Sequence, residues 1–279
     1  VKAPGLKGMK TNVEQVIEIG SVELDGHAQA IRLRTYRPPV KRGALPVIFF
    51  FHGGGFVKGA PEQADAICSQ LAAKVEALVV SVGYSLAPEF PFPTALCDGY
   101  RAVEWVVTNA RPLSADVKRM AVAGHDAGGN LAAGLAAMVR DQAVFRFSAQ
   151  ALLAPLLDPS MTRIADLGSD INPDMHAEEC ASGYRAYLPF VSNRLHPYAA
   201  PIESRRLKGL PAAFIASAEN DLMHVEAEKY AAELIAAGVP TTVTRYGKVA
   251  HNELASRQEV LADVATFFTR VFGATSERS

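Results

Sequence analysis

Short, nearly uninterrupted apolar runs alternating with stretches of helical periodicity leave few folds open to this chain. The runs are PVIFFF (46–51), ALVVSV (77–82), RMAVAG (119–124), AQALLA (149–154) and AAFIASA (212–218). A strand that is apolar at every position is buried on both faces, and a mostly parallel sheet with helices above and below provides that burial. Helical patterns at 61–75, 95–110, 127–142, 224–237 and 253–272 fall between or after the runs, and 240–246 reads as a last strand. Gly238 and Pro240 close the helix at 224–237. Near the start, VEQVIEI (13–19) and AIRLRTYRP (30–38) alternate like half-exposed strands, with Asp25-Gly26 as a turn, so the sheet is expected to begin antiparallel. Residues 1–12 and 158–210 break the alternation. The second of these is long, irregular and rich in Pro, Tyr and His, which reads as a lid or binding excursion. The expectation is one α/β domain over 1–279.

Composition excludes several classes of function. With 49% hydrophobic and 20% charged residues the chain is globular rather than disordered. Lys+Arg of 28 against Asp+Glu of 29 leaves no basic excess for nucleic acid or an anionic membrane. Cys68, Cys97 and Cys180 are too few and too scattered for a disulfide framework or a metal site, which favours a reducing compartment. No apolar run approaches the roughly 18 residues of a membrane span, and VKAPGLKGMK lacks an apolar signal core. A cytoplasmic protein with a small-molecule partner, no metal and no cofactor is expected. Exposed helices or an edge strand could support a homodimer.

Chemistry is concentrated at strand ends. His52-Gly53-Gly54-Gly55-Phe56 follows the run at 46–51, and successive glycines let backbone N–H groups approach a ligand closely, as an oxyanion hole requires. A phosphate loop fits poorly, because neither a Lys-Ser/Thr ending nor dinucleotide-binding spacing follows. Gly124-His125-Asp126-Ala127-Gly128 lies between a strand and a helix, the setting of a nucleophile elbow, G-x-Nu-x-G. Asp221 lies just past the strand at 212–218, and His251 just past 240–246. Nucleophile, acid, histidine is the chain order of the α/β-hydrolases.

With HGGGF (52–56), YSLAPEFPFPTAL (84–96), GHDAGGN (124–130), AENDL (218–222) and the His251 segment, the chain resembles the hormone-sensitive-lipase-like branch of the α/β-hydrolases over nearly its whole length. The resemblance implies an α/β-hydrolase fold and a carboxylesterase-like enzyme. Its oxyanion hole would come from Gly53, Gly54 and the Ala127 amide, with Asp221 as triad acid and His251 as base. The lid would come from residues 1–12 and 175–205. Pocket candidates are His52, Gly55, Phe56, His125, Leu156, Tyr184 and Tyr187, with Phe90 and Phe92, for a small apolar substrate. His176, His196 and His224 read as capping or surface residues, and the role of His125 stays unassigned.

The family pattern has serine where this chain has Asp126. An aspartate attacking an ester would form a mixed anhydride. The tetrahedral intermediate would then expel the carboxylate rather than an alkoxide, because their conjugate acids differ by about 12 pKa units, about 16 kcal/mol in water. An aspartate suits attack on a saturated carbon instead, giving an alkyl-enzyme ester that His251 could open with water. GHDAG resembles the elbow of haloalkane dehalogenases and epoxide hydrolases. Trp105, the only tryptophan, is expected inside a helix rather than at a halide site, whereas Tyr184, Tyr187 and Tyr198 are available as candidate lid acids. Three readings stay open: a hydrolase using Asp126, an esterase impaired by it, and a ligand-binding protein on the same scaffold. In each, two carboxylates beside His251 are expected to raise its pKa.

Overall fold

The computed structural model describes residues 16–39, 43–164 and 176–276. The chain opens with β1 (Glu18–Asp25) and β2 (Ala30–Arg37). It continues through β3 (Leu45–Phe51), α1 (Asp65–Val75), β4 (Leu78–Gly83), α2 (Thr94–Thr108), β5 (Ala115–His125), α3 (Ala127–Gln142) and β6 (Ala149–Leu153). An excursion carries α4 (Ala177–Tyr187), after which come β7 (Ala212–Asn220), α5 (His224–Ala236), β8 (Thr241–Ala250), α6 (His251–Leu254) and α7 (Gln258–Ser276). The eight strands form one sheet in the order β1-β2-β4-β3-β5-β6-β7-β8. β1 and β2 pair antiparallel, β2 runs antiparallel to β4, and every pairing from β4 to β8 is parallel.

The apolar runs become strands because both faces are covered. Side chains alternate across a strand. Accordingly Phe49 and Phe51 of β3 join the core with Leu131 and Leu135 of α3. Ile48 and Phe50 point the other way, into a second core with Leu71 of α1 and Phe268 of α7. Each core is continuous with helices on its own side, so the sheet is the middle layer of three. The carboxyl ends of β3, β5, β7 and β8 lie along one edge of this layer, where ligands bind in parallel α/β sheets.

Three expectations change. The first strand is at 18–25 rather than 13–19: pairing starts beside the turn, with Asp25 opposite Ala30 and Leu24 opposite Ile31, since a hairpin's register is set from its loop. Residues 13–15 of that expectation, and residues 1–12 and 175 of the expected lid, lie outside the described residues. The final helix is interrupted, because the Ser256 hydroxyl donates to the main-chain oxygen of Glu253 and competes with the helical ladder there. The last strand runs on to Ala250, past an irregularity opposite Ala218 and Asn220, and so delivers His251 directly to the sheet edge.

Close approach at the β5–α3 junction depends on two glycines. A Cβ on Gly124 would meet the main-chain oxygen of Gly128 at 2.1 Å, and one on Gly128 would meet that of Phe51 at 2.1 Å. Gly124→Ala is expected to destabilise the protein by more than about 3 kcal/mol in chemical denaturation, because only backbone can move to relieve the clash. The control is Gly273→Ala, in the interior of α7 with open space around its Cβ position, which is expected to stabilise by about 0.5–1 kcal/mol.

Candidate active site

Asp126 sits where β5 turns into α3, with φ 58° and ψ −125°. That conformation costs a non-glycine residue on the order of 1–3 kcal/mol and persists only when its surroundings hold it. Here the backbone does so. The Asp126 N–H donates to Leu153 O at 3.0 Å, and its carbonyl accepts from Gly129 at 2.9 Å and from Leu156 at 3.2 Å.

The carboxylate is held by the glycine loop after β3. Its Oδ2 accepts hydrogen bonds from the N–H groups of Gly54, at 2.6 Å, and Gly55, at 2.9 Å. Among the described residues it accepts none from Gly53 or Ala127; of the expected oxyanion donors Gly53, Gly54 and Ala127, only Gly54 holds the resting carboxylate, with Gly55 beside it. The loop turns through left-handed backbone at Gly54, Gly55 and Phe56, which carries the second and third glycine amides to the carboxylate. α4 packs onto the same loop so closely that a Cβ on Gly183 would lie 2.4 Å from Gly55 O.

His251 is buried with Asp221 on one side and Asp126 on the other. Its Nδ1 lies 2.9 Å from Asp221 Oδ2, and its Nε2 lies 3.6 Å from Asp126 Oδ1, an ion-pair separation. Asp221 is itself anchored, accepting from the Met223 N–H at 3.0 Å. Burial by itself favours a neutral imidazole, but the Asp221 charge and the interactions with both carboxylates outweigh it and raise the His251 pKa to about 10. Burial likewise opposes the Asp126 charge, yet His251, His125 and the Gly55 amide hold its pKa below the ordinary carboxylate value. The two flanking carboxyl groups therefore favour the protonated form of the His251 ring.

These groups open into a cavity of about 690 Å³. Of the sequence-derived pocket residues, His52, Gly55, His125 and Leu156 line it, together with Gly53, Gly54, Asp126 and His251. Phe56, Tyr184 and Tyr187 do not. Phe56 stacks on Tyr187 with ring centroids 4.2 Å apart, and all three are buried. These large rings fill the space between the glycine loop and α4. Phe92 packs edge-on against Tyr187, and the Tyr198 hydroxyl donates to Asp141 at 3.0 Å. Neither Phe90 nor Phe92 lines the cavity. Its wall combines apolar Phe50, Ile67 and Leu156 with polar Gln63, His125 and Asn252, so it is more polar than the aromatic pocket expected.

Other contributors carry no motif. Cys180, Ser182 and Gly183 of α4 line the cavity from a segment whose fold the sequence does not signal. Glu226, buried on α5, accepts from the Leu157 and Asp158 N–H groups at 2.6 and 2.5 Å and braces the segment after β6. Burial raises its pKa to about 8. His176 precedes α4 as its N-cap, His196 packs on Phe92, and His224 Nδ1 lies 2.7 Å from Asp221 O. Among the described residues no group of three or more His, Cys, Asp or Glu side chains is arranged to hold a metal, and no helix is long and apolar enough to cross a membrane.

Comparison with known proteins agrees with this architecture. Residues 48–255 match the family described as alpha/beta hydrolase fold. The chain is 36% identical to the esterase LipI of Mycobacterium tuberculosis over 243 residues, covering 86% of this chain and 76% of that protein. It superposes on the hyperthermophilic esterase from the archaeon Pyrobaculum calidifontis with a TM-score of 0.82 and 35% identity, covering 92% of this chain and 85% of that one. For EstE1, a thermostable carboxylesterase cloned from a metagenomic library, the TM-score is 0.85 at 32% identity, with coverages of 93% and 91%.

The ion triad makes a direct prediction. In an NMR titration the His251 ring is expected to hold its proton until close to pH 10. In Asp126→Asn, with one flanking charge gone, the midpoint is expected to fall by about 1–3 pKa units. A midpoint near 6.5 in the unaltered protein would contradict the charge assignment.

Proposed function

Since the chain belongs to the alpha/beta hydrolase fold family, as an esterase/lipase-like member of its hormone-sensitive-lipase-like carboxylesterase branch, we propose that it is a hydrolase of small molecules that uses Asp126 as its nucleophile. Asp221 orients His251, and His251 moves the protons. The observation that carries this reading is the unequal environment of the two Asp126 oxygens: Oδ2 rests on the Gly54 and Gly55 amides while Oδ1 faces His251 Nε2.

That arrangement disfavours acyl transfer. The amides suited to a substrate oxyanion already hold the nucleophile's own oxygen, and the mixed anhydride would have to form by expelling a far more basic alkoxide. Attack on a saturated carbon creates no oxyanion in its first step. The Oδ1 lone pair forms the new C–O bond while the bond to the leaving atom breaks with its electron pair. If that atom is an epoxide oxygen, the His251 imidazolium supplies its proton and is left neutral; if it is a halide, it departs as the anion, and the imidazolium, no longer facing an Asp126 charge, gives its proton to solvent. The neutral imidazole then takes a proton from water as the water oxygen adds to Asp126 Cγ, and the negative charge develops on Oδ2, already on its two donors. Collapse expels the alcohol, which competes only with hydroxide of similar basicity. The departing oxygen, formerly Asp126 Oδ1, takes a proton from His251, and the new Asp126 carboxyl, holding the water oxygen, returns one to the imidazole.

One observation favours a second reading, an esterase scaffold silenced at the elbow: Gly54, Gly55, Asp221 and His251 stand in position around residue 126, where the resembled pattern carries serine. Single turnover of styrene oxide or a bromoalkane in heavy-oxygen water separates the two. The nucleophile reading expects label in the Asp126 carboxylate, and loss of that turnover in Asp126→Ser. If the unaltered protein turns over neither probe, and Asp126→Ser hydrolyses 4-nitrophenyl acetate roughly 100-fold faster than it does, the silenced-esterase reading replaces the first.

The first step also sets a pH dependence. With an epoxide, turnover needs Asp126 ionised and His251 protonated. The rate is therefore expected to stay level through neutral pH and to fall as pH rises through about 10, where the imidazolium loses its proton. A rate that instead climbs steadily with pH up to that value would show that His251 must start as a base.

A further inference from the structure

A second cavity, of about 1260 Å³, lies at the opposite end of the sheet from Asp126, where the entries to β6, β7 and β8 meet the carboxyl-terminal halves of α3 and α7. Along β5, Lys118 lines it near the amino end, while His125 reaches the active-site cavity at the carboxyl end. That is a separation of about 20 Å at about 3.3 Å per residue. The two cavities share no lining residue.

The charge of this second cavity is one-sided. Lys118, Arg140, Arg146 and Arg270 line it and no Asp or Glu does, although the chain as a whole carries 28 basic and 29 acidic residues. Arg140 is neutralised by Asp141, at 2.8 Å. Lys118, Arg146 and Arg270 are exposed and form no ion pair among the described residues. The carboxylates nearest them in sequence are already taken, Asp116 by Arg119 at 2.6 Å and Asp141 by Arg140 and Arg206. Like charges gathered in this way repel one another and draw an anion, an attraction that salt weakens. Apolar groups line the same cavity. Pro211 and Pro240 have no N–H, and their carbonyl oxygens already accept from Gln150 Nε2 at 3.2 Å and from the Ala213 N–H at 2.8 Å, so they contribute mainly ring carbons. Phe145, Leu210 and Val271 add to this surface.

We propose that this cavity is a second binding site, separate from the catalytic one, for a small amphiphilic anion whose acidic group is drawn to the Lys118, Arg146 and Arg270 charges and whose apolar body rests on Phe145, Leu210 and Val271. The inference is independent of the reaction assigned to Asp126. A neutral ligand of the same shape gains the apolar contact but leaves three cations without a counter-charge, so the site selects the anion of a matched pair.

The test uses 4-phenylbutyrate and 4-phenyl-1-butanol as matched probes, followed by amide shifts in ¹⁵N spectra of the full chain at low ionic strength. The anion is expected to shift the amides of Arg146, Ser148, Gly209 and Thr242, and to bind there about five- to ten-fold more tightly than the alcohol, as a few exposed charge contacts provide. In Arg146→Gln/Arg270→Gln that preference is expected to shrink to within about two-fold. Shifts confined to the glycine loop and the other residues around Asp126, equal binding of the two probes, or failure of the anion to bind at about 10 mM overturns the proposal. So does an undiminished preference in the double variant. If that variant does not fold, salt decides: about 0.5 M sodium chloride is expected to remove most of the preference in the unaltered protein, and a preference that salt leaves intact overturns the proposal. None of these readouts requires turnover, so the heavy-oxygen result at Asp126 stands or falls separately.

Discussion

A carboxylate seated on two glycine amides organises this site. The Gly54 and Gly55 N–H groups have no side chains around them, so they reach Asp126 Oδ2 at hydrogen-bond distance and hold one oxygen of the pair. Charge-assisted bonds of this kind are about twice as strong as neutral ones, and here they act on a residue already fixed in an unfavourable backbone conformation by β6 and its following segment. Each support comes from a different strand end. The elbow is thus a product of the whole sheet edge rather than of its local sequence.

The second constraint is charge balance in a dry place. Two buried carboxylates would repel one another and resist burial unless a cation stood between them, and His251 supplies it. Held between Asp221 and Asp126, the His251 ring is favoured in its protonated form. Behind it, Met223 N–H steadies Asp221, and Glu226 caps the Leu157 and Asp158 amides. These hydrogen bonds hold Asp221 and the segment after β6 in place.

Much of this was legible from residue order. The apolar runs identified the buried strands, because only a sheet covered on both faces tolerates such runs, and the positions of Asp126, Asp221 and His251 at strand ends followed from their spacing. The glycine loop was legible as a donor loop, yet which amides meet the carboxylate was not. That depends on the left-handed turns at Gly54, Gly55 and Phe56, which bring the Gly54 and Gly55 amides to it. Tyr184 and Tyr187 were misplaced for a related reason. An aromatic residue in an irregular segment carries no mark of whether its ring faces a cavity or a neighbouring ring, and Phe56 decides that here by stacking.

The sequence by itself determined the layer architecture, the chain order of the chemical groups and the presence of a charged residue at the elbow, since periodicity and residue type are local properties of a chain. Only the tertiary structure decided which oxygen of Asp126 the glycine amides bind and which faces His251, and how closely Asp221 and Asp126 flank that ring. Those outcomes depend on distances of about 3 Å between segments far apart in the chain, and no pattern along one strand or helix encodes such distances.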